Sequence, residues 1–201
     1  ASMTMEMSNQ NKLSEFYEEL KRLNINVIRP DINTCSSDFT SNGEDFLYAL
    51  GAIKNVGYEA ISNVVKERAE NGMFQNISDF INRVNPKNIN KLQLEGLVKA
   101  GAFDKINPNR QSLFNSIPNI ILKSKNNFEN KMDNQINLFD EDAKPNDDFL
   151  EKIDDWNIEN RLSKEFETLG FFISDHPLNQ YKVIFNQYNI VNFDHFENER
   201  N

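Results

Sequence analysis

One cysteine and two histidines are all that 201 residues offer of the usual zinc ligands other than carboxylates. A lone Cys35 excludes an internal disulfide and any thiolate zinc cluster, and it suits the cytoplasm. Too few ligands remain for a zinc site, so His176 ahead of Pro177 reads as a turn residue. Apolar runs are short as well, none approaching the ~20 residues of a membrane span. The start, Ala-Ser-Met-Thr-Met-Glu-Met, lacks the basic and apolar regions of a signal peptide. An excess of positive charge is also missing. Twenty-two Lys and Arg stand against 31 Asp and Glu, a net charge of −9. That is the wrong overall sign for contact with nucleic acid, so the distribution of charge matters. Residues 50–110 hold nine basic and six acidic residues, or +3, whereas residues 126–168 hold five and thirteen, or −8. Two surfaces with two kinds of partner follow.

What is present in quantity is phenylalanine, 16 residues, enough to carry much of a core. Helical spacing dominates. Leu13, Phe16, Tyr17, Leu20 and Leu23 share one face of a helix over 11–23, and Asn24 stops it. Residues 26–33 are extended, since Arg29 precedes a proline, and 36–43 form a polar loop. Residues 45–57 and 58–70 read as two helices of a hairpin, with Leu50 and Ile53 on one face of the first. Ala60, Ile61, Val64 and Val65 form the buried face of the second. Ser78 caps a short helix with Phe80, Ile81 and Val84. Asn90 starts another with Leu92, Leu94, Leu97 and Val98, ended by Gly101; together they are a degenerate second hairpin. A helix over 109–122 contains Pro118, implying a kink or break. Residues 123–155 are polar and acidic and read as a linker. Residues 156–169 return to helix, with Trp156, Ile158, Leu162, Phe166 and Leu169 as its apolar set, and Gly170 stops it. Beyond Asn186 the signals are weak.

The most informative stretch is Leu50-Gly51-Ala52-Ile53-Lys54-Asn55-Val56-Gly57-Tyr58. Asn55 and Gly57 both tolerate the left-handed backbone that a tight turn needs. The following helix start offers N–H groups with the positive end of the helix dipole behind them, which is an anion site, and Lys54 adds a charge. The pattern fits a helix-hairpin-helix, a sequence-independent binder of the DNA backbone. It equally fits a corner that only packs. Within the acidic stretch, Gln135-Ile136-Asn137-Leu138-Phe139 stands out. A glutamine amide for hydrogen bonds, with Leu138 and Phe139 for an apolar pocket, is the composition of a short docking peptide. The same two side chains would also suit the protein's own helices. Asp147-Asp148 and Asp154-Asp155 lack the rigid strand setting that two-metal catalysis requires, and they read as solvated linker.

In order and spacing, several pieces resemble the family of bacterial replicative DNA polymerase III alpha subunits. They are Met5-Glu6-Met7, Arg29-Pro30-Asp31-Ile32-Asn33, the hairpin 49–57, Ser78-Asp79-Phe80, Lys99–Asp104, Asn109-Arg110, Gln135–Phe139, Thr168–Phe171 and His176-Pro177-Leu178. The resemblance covers nearly the whole chain. It implies an all-α fragment: the end of the fingers region (1–43), a tandem helix-hairpin-helix DNA-binding domain (44–122), a flexible acidic linker with a clamp-binding motif (123–155), and a helical segment (156–201) leading to an OB domain. It further implies a cytoplasmic replication protein whose full-length form is a magnesium-dependent DNA-directed DNA polymerase. The fragment itself lacks the palm carboxylates and needs no cofactor. Implied DNA contacts are Lys54, Asn55, Val56 and Gly57, with Lys91 and Lys99 in the second hairpin. Gln135, Leu138 and Phe139 would hold the sliding clamp, and further partners would be duplex DNA and other holoenzyme subunits, with no membrane. Asn55 departs from the hairpin pattern, where glycine is commonest. Two other readings stay open: a freestanding hairpin module for DNA repair or adaptor work, and a protein-interaction scaffold.

Overall fold

The computed structural model describes residues 2–132, 147–188 and 190. The fold is mostly helical. A short helix α1 (Ser2–Met5) precedes α2 (Gln10–Arg22), whose last turn is followed by Asn24 in the left-handed region at φ 54°. Asn9 caps α2 by accepting from the Lys12 N–H. Three short strands follow: β1 (Asn26–Ile28), β2 (Thr40–Ser41) and β3 (Asp45–Leu47). They form one sheet in the order β1-β3-β2, with β1 parallel and β2 antiparallel to β3. Val27 lies opposite Phe46, and Ile28 opposite Leu47.

This sheet corrects the first helix expected over 45–57. Asp45–Leu47 is a strand, and Leu50–Ala52 is a single 3-10 turn. The cause lies in the loop before it. The N–H groups of Leu50 and Gly51 donate to the carbonyls of Ser36 and Ser37, so they are not available for an α-helix. A side chain at Gly51 would meet the Ser37 carbonyl oxygen at 2.7 Å, so glycine permits this approach. Leu50 and Ile53 are buried as their spacing implied, but without helical geometry.

Then come α3 (Tyr58–Asn71), α4 (Ile77–Arg83), α5 (Lys91–Lys99) and α6 (Arg110–Met132). The cap of α4 is Asn76, which accepts from the Asp79 N–H; Ser78 lies buried inside the helix. Asn90 caps α5 in a reciprocal box with Gln93. Leu92, grouped with the core by its spacing, is 57% exposed. α6 runs through Pro118 to Met132 without a break. Pro118 sits on the exposed side, while Leu113, Ile117 and Ile120 pack inward and hold the helix together.

From residue 147 the chain bonds to α4 and α6, then forms α7 (Ile158–Leu169), a 3-10 turn (Pro177–Tyr181) and α8 (Lys182–Gln187). Gly170 ends α7 at φ 84°. The inward face of α7 is Leu162, Glu165, Thr168 and Leu169, whereas Ile158 and Phe166 are about half exposed. One continuous core joins residues from α2 through Phe171, with rings of Phe74, Phe80 and Phe103 edge to face at 5.1 Å. Among the described residues, no helix is long and apolar enough to cross a membrane.

Candidate nucleic-acid interface

The 3-10 turn Leu50–Ala52 leads into an exposed corner. Asn55 takes the left-handed backbone at φ 66°, the role expected of it. Gly57 does not: its φ is −69°, extended backbone that begins α3. Its glycine identity matters for space, since a side chain there would meet Gln93 Nε2 at 3.1 Å. Lys54, Asn55 and Gly57 are exposed, and Val56 is anchored in the core at 6% exposure. The structure thus presents Lys54–Gly57 as one projecting backbone arc with a buried pin.

Five other helix starts are closed by side chains: Asn9 on α2, Asn76 on α4, Asn90 on α5, Asn109 on α6 and Asn157 on α7. Among the described helices of seven or more residues, α3 alone begins without a side-chain cap. Its first-turn N–H groups keep the partial positive charge of the helix end. Exposed Glu59 stands in the same turn and Lys54 just before it. Beside the corner runs an open groove of about 870 Å³, between Ser8–Asn11 at the start of α2 and Gly51–Val56 with Tyr58.

The corner is held from behind. The Lys54 N–H donates to the Thr168 carbonyl at 3.1 Å, and Gln10 Nε2 donates to that same oxygen at 3.1 Å. Sequence reasoning missed the contacts of Gln10 and Thr168 with this corner, because both lie far from it along the chain. Lys91 is exposed at the start of α5, 3.8 Å from Glu95. Lys99 is largely covered. Its Nζ lies 2.7 Å from Glu167 and over the Phe114 ring at 5.4 Å. The hydrogen bond from Lys99 pulls the Glu167 carboxyl below the usual carboxylate range. Gln135, Leu138 and Phe139 lie outside the described residues.

Two of the carboxylates read as solvated linker hold helices instead. Asp147 accepts from the Ile77 and Ser78 N–H groups at 3.2 and 2.8 Å, and Asp155 accepts from the Gln111 N–H and pairs with Arg161 at 2.9 Å. Each carboxylate is occupied by a helix N-terminus, so the pair does not fit a two-metal centre. Among the described residues no three of His, Cys, Asp or Glu gather into a metal-binding group.

Comparison with known proteins places the corner within a recognised family segment. Residues 24–113 match the family described as helix-hairpin-helix motif. The chain is 38% identical over 178 residues to the DNA polymerase III subunit alpha of Caulobacter vibrioides, covering 89% of this chain and 16% of that protein. It is 34% identical to that of Borreliella burgdorferi, covering 96% of this chain and 17% of the relative. Against the Campylobacter jejuni protein of the same name it is 33% identical, covering 100% and 17%. The chain therefore spans about a sixth of the length of these relatives.

Proposed function

This chain belongs with the DNA polymerase III alpha subunits, aligning nearly end to end with one segment of them, and from that premise we propose that it positions duplex DNA for a replicative DNA-directed DNA polymerase without itself performing catalysis. Its work is binding. The arc Lys54–Gly57 receives a phosphate on the backbone N–H groups at the start of α3, and Lys54 supplies the charge. Phosphate contacts carry no base information, so binding is independent of sequence and falls as salt rises. Lys91 is a second, outlying contact. Lys99 is the weakest member of the set, because its charge is already paired with Glu167.

The observation that carries this reading is the open start of α3. Five other helices begin with an asparagine side chain as acceptor, and the one that follows the projecting arc does not. An unfilled helix start behind a left-handed residue favours an anion from outside. The small excess of basic residues over 50–110 agrees in sign.

A second activity rests on Gln135-Ile136-Asn137-Leu138-Phe139, the peptide that would hold the sliding clamp and so keep the polymerase on its template. Magnesium and the catalytic carboxylates would belong to other parts of the full-length subunit, which would work in the cytoplasm with the other holoenzyme subunits.

The decisive test of the DNA reading is Lys54→Glu, measured by fluorescence anisotropy on a mixed-sequence duplex across a salt series. Weaker binding is expected, with the slope of log K against log salt falling by about 0.9, one phosphate contact. Unchanged affinity and slope would leave the corner as packing and favour the scaffold reading.

A further inference from the structure

We propose that Gly96, in the middle of α5, is a positioning residue for the arc Lys54–Gly57, and that α5 supports this arc instead of adding an equivalent phosphate site at its own start. The proposal rests on the DNA reading of that arc and deepens it.

A glycine in a helix interior weakens the helix, so its presence at 96 calls for a spatial reason. The structure gives one. A Cβ at Gly96 would lie 2.8 Å from the carbonyl oxygen of Lys54 and 3.1 Å from Val56 Cγ2. The first neighbour is backbone and has no side-chain freedom with which to move aside. α5 therefore presses its bare backbone against the rear of the arc at the two residues flanking Asn55. One turn earlier on the same helix, Gln93 Nε2 stands 3.1 Å from the place a Gly57 side chain would occupy. Gln93 is itself fixed, because its Oε1 accepts from the Asn90 N–H at 2.7 Å.

The start of α5 is thus engaged internally. Asn90 accepts from the Gln93 N–H, and Gln93 turns back to the Asn90 N–H, closing the helix end that would be the second hairpin's anion site. The two helix starts, of α3 and α5, divide the work. One start is left open, and the other is closed and seated behind it. The Thr168 carbonyl, which accepts from the Lys54 N–H and from Gln10, grips the same arc from another side. With α5 and the end of α7 both fixed, the Asn55 peptide has one orientation. Phosphate then meets donors that need no rearrangement.

The test uses the whole chain with four proteins: the parent, Gly96→Ala, Val56→Ala and Lys54→Glu. Duplex affinity across salt, melting temperature and the backbone amide spectrum are recorded for each. Gly96→Ala is expected to stay folded, to shift the amide signals of Asn55, Val56 and Gly57, and to weaken DNA binding about tenfold with the salt slope reduced by ~0.9. Val56→Ala loosens the same contact from the other side without adding a clash, so the question stays answerable if Gly96→Ala does not fold. It is expected to weaken binding as well. Parental affinity and slope in Gly96→Ala, or a lowered melting temperature with parental affinity in Val56→Ala, would overturn the positioning role while Lys54→Glu still weakened binding. No effect of Lys54→Glu would overturn the DNA reading beneath it.

Discussion

Arg110 draws two carboxylates together inside the fold. It is 3% exposed, holds Asp104 through two bonds at 2.7 and 2.8 Å, donates to the Lys99 carbonyl, and lies 3.6 Å from Oε2 of fully buried Glu165. Gly101, at φ 79°, makes room beneath the guanidinium. Glu165 Oε1 in turn accepts from the N–H groups of Ile173 and Ser174, so one arginine ties α5, α6, α7 and the chain after α7 together. Arg110→Met removes the only counter-charge that the buried end of Glu165 has among the described residues. We expect denaturant melts to show a loss of roughly 3–5 kcal/mol, as for other broken buried pairs. Arg110→Lys should recover only part of it, because a lysine lacks the fork that grips Asp104. Cys35 offers a separate measurement at this scale. Burial pushes its thiol up to about 11 from 9.0. The fold thus favours the neutral thiol, and that stability is present below pH 9 and is lost as pH rises toward 11. Stability curves should fall across that window, and Cys35→Ala should flatten the fall.

Elements in this chain are fixed at their ends as much as by their faces. α4 is short, and it is held by Asn76 within its own sequence and by Asp147 from far along the chain. Asp147→Ala should cost about 1 kcal/mol by thermal or chemical denaturation, the usual loss of a helix cap. Asp154→Ala, at an exposed position, should stay within about 0.5 kcal/mol of the parent. The contrast separates what was legible in the sequence from what was not. α2, α3 and α5 could be placed from apolar spacing and from Asn and Gly at their ends, because those signals act within a turn or two. The left-handed turn at Asn55 was legible for the same reason. The strand Asp45–Leu47 was not, since its partner is Asn26–Ile28 and its helical alternative is removed by Ser36 and Ser37. Asp147 and Asp155 sit in sequence that looks solvated, and only the fold brings them to helix starts. Glu165 falls on the buried face of an amphipathic helix where an apolar residue is expected, and its partner Arg110 is 55 positions away. In each case the deciding contact was long-range, and composition carried no trace of it.

For the molecule as a whole, the two proposed partners should differ in salt dependence. DNA affinity should fall steeply with salt, because it releases counterions from phosphate. Clamp affinity should change little, because Leu138 and Phe139 would bind by apolar burial. Leu138→Ala with Phe139→Ala should abolish clamp binding in titration calorimetry and leave the DNA curve in place. Loss of stability with no change in clamp binding would return those side chains to the protein's own packing.

The attachments on either side of residues 133–146 set a length on that second contact. Before it, Asn127 and Lys131 on α6 bond to Asn82; after it, Asp147 holds the first N–H groups of α4. Both moorings are on one seven-residue helix. The intervening stretch is 14 residues long. At ~3.4 Å per residue, its midpoint reaches no more than about 25 Å from α4. Gln135 lies only three residues past Met132, so it reaches about 10 Å from the end of α6. A clamp gripping this peptide would ride at a short, bounded distance from α4.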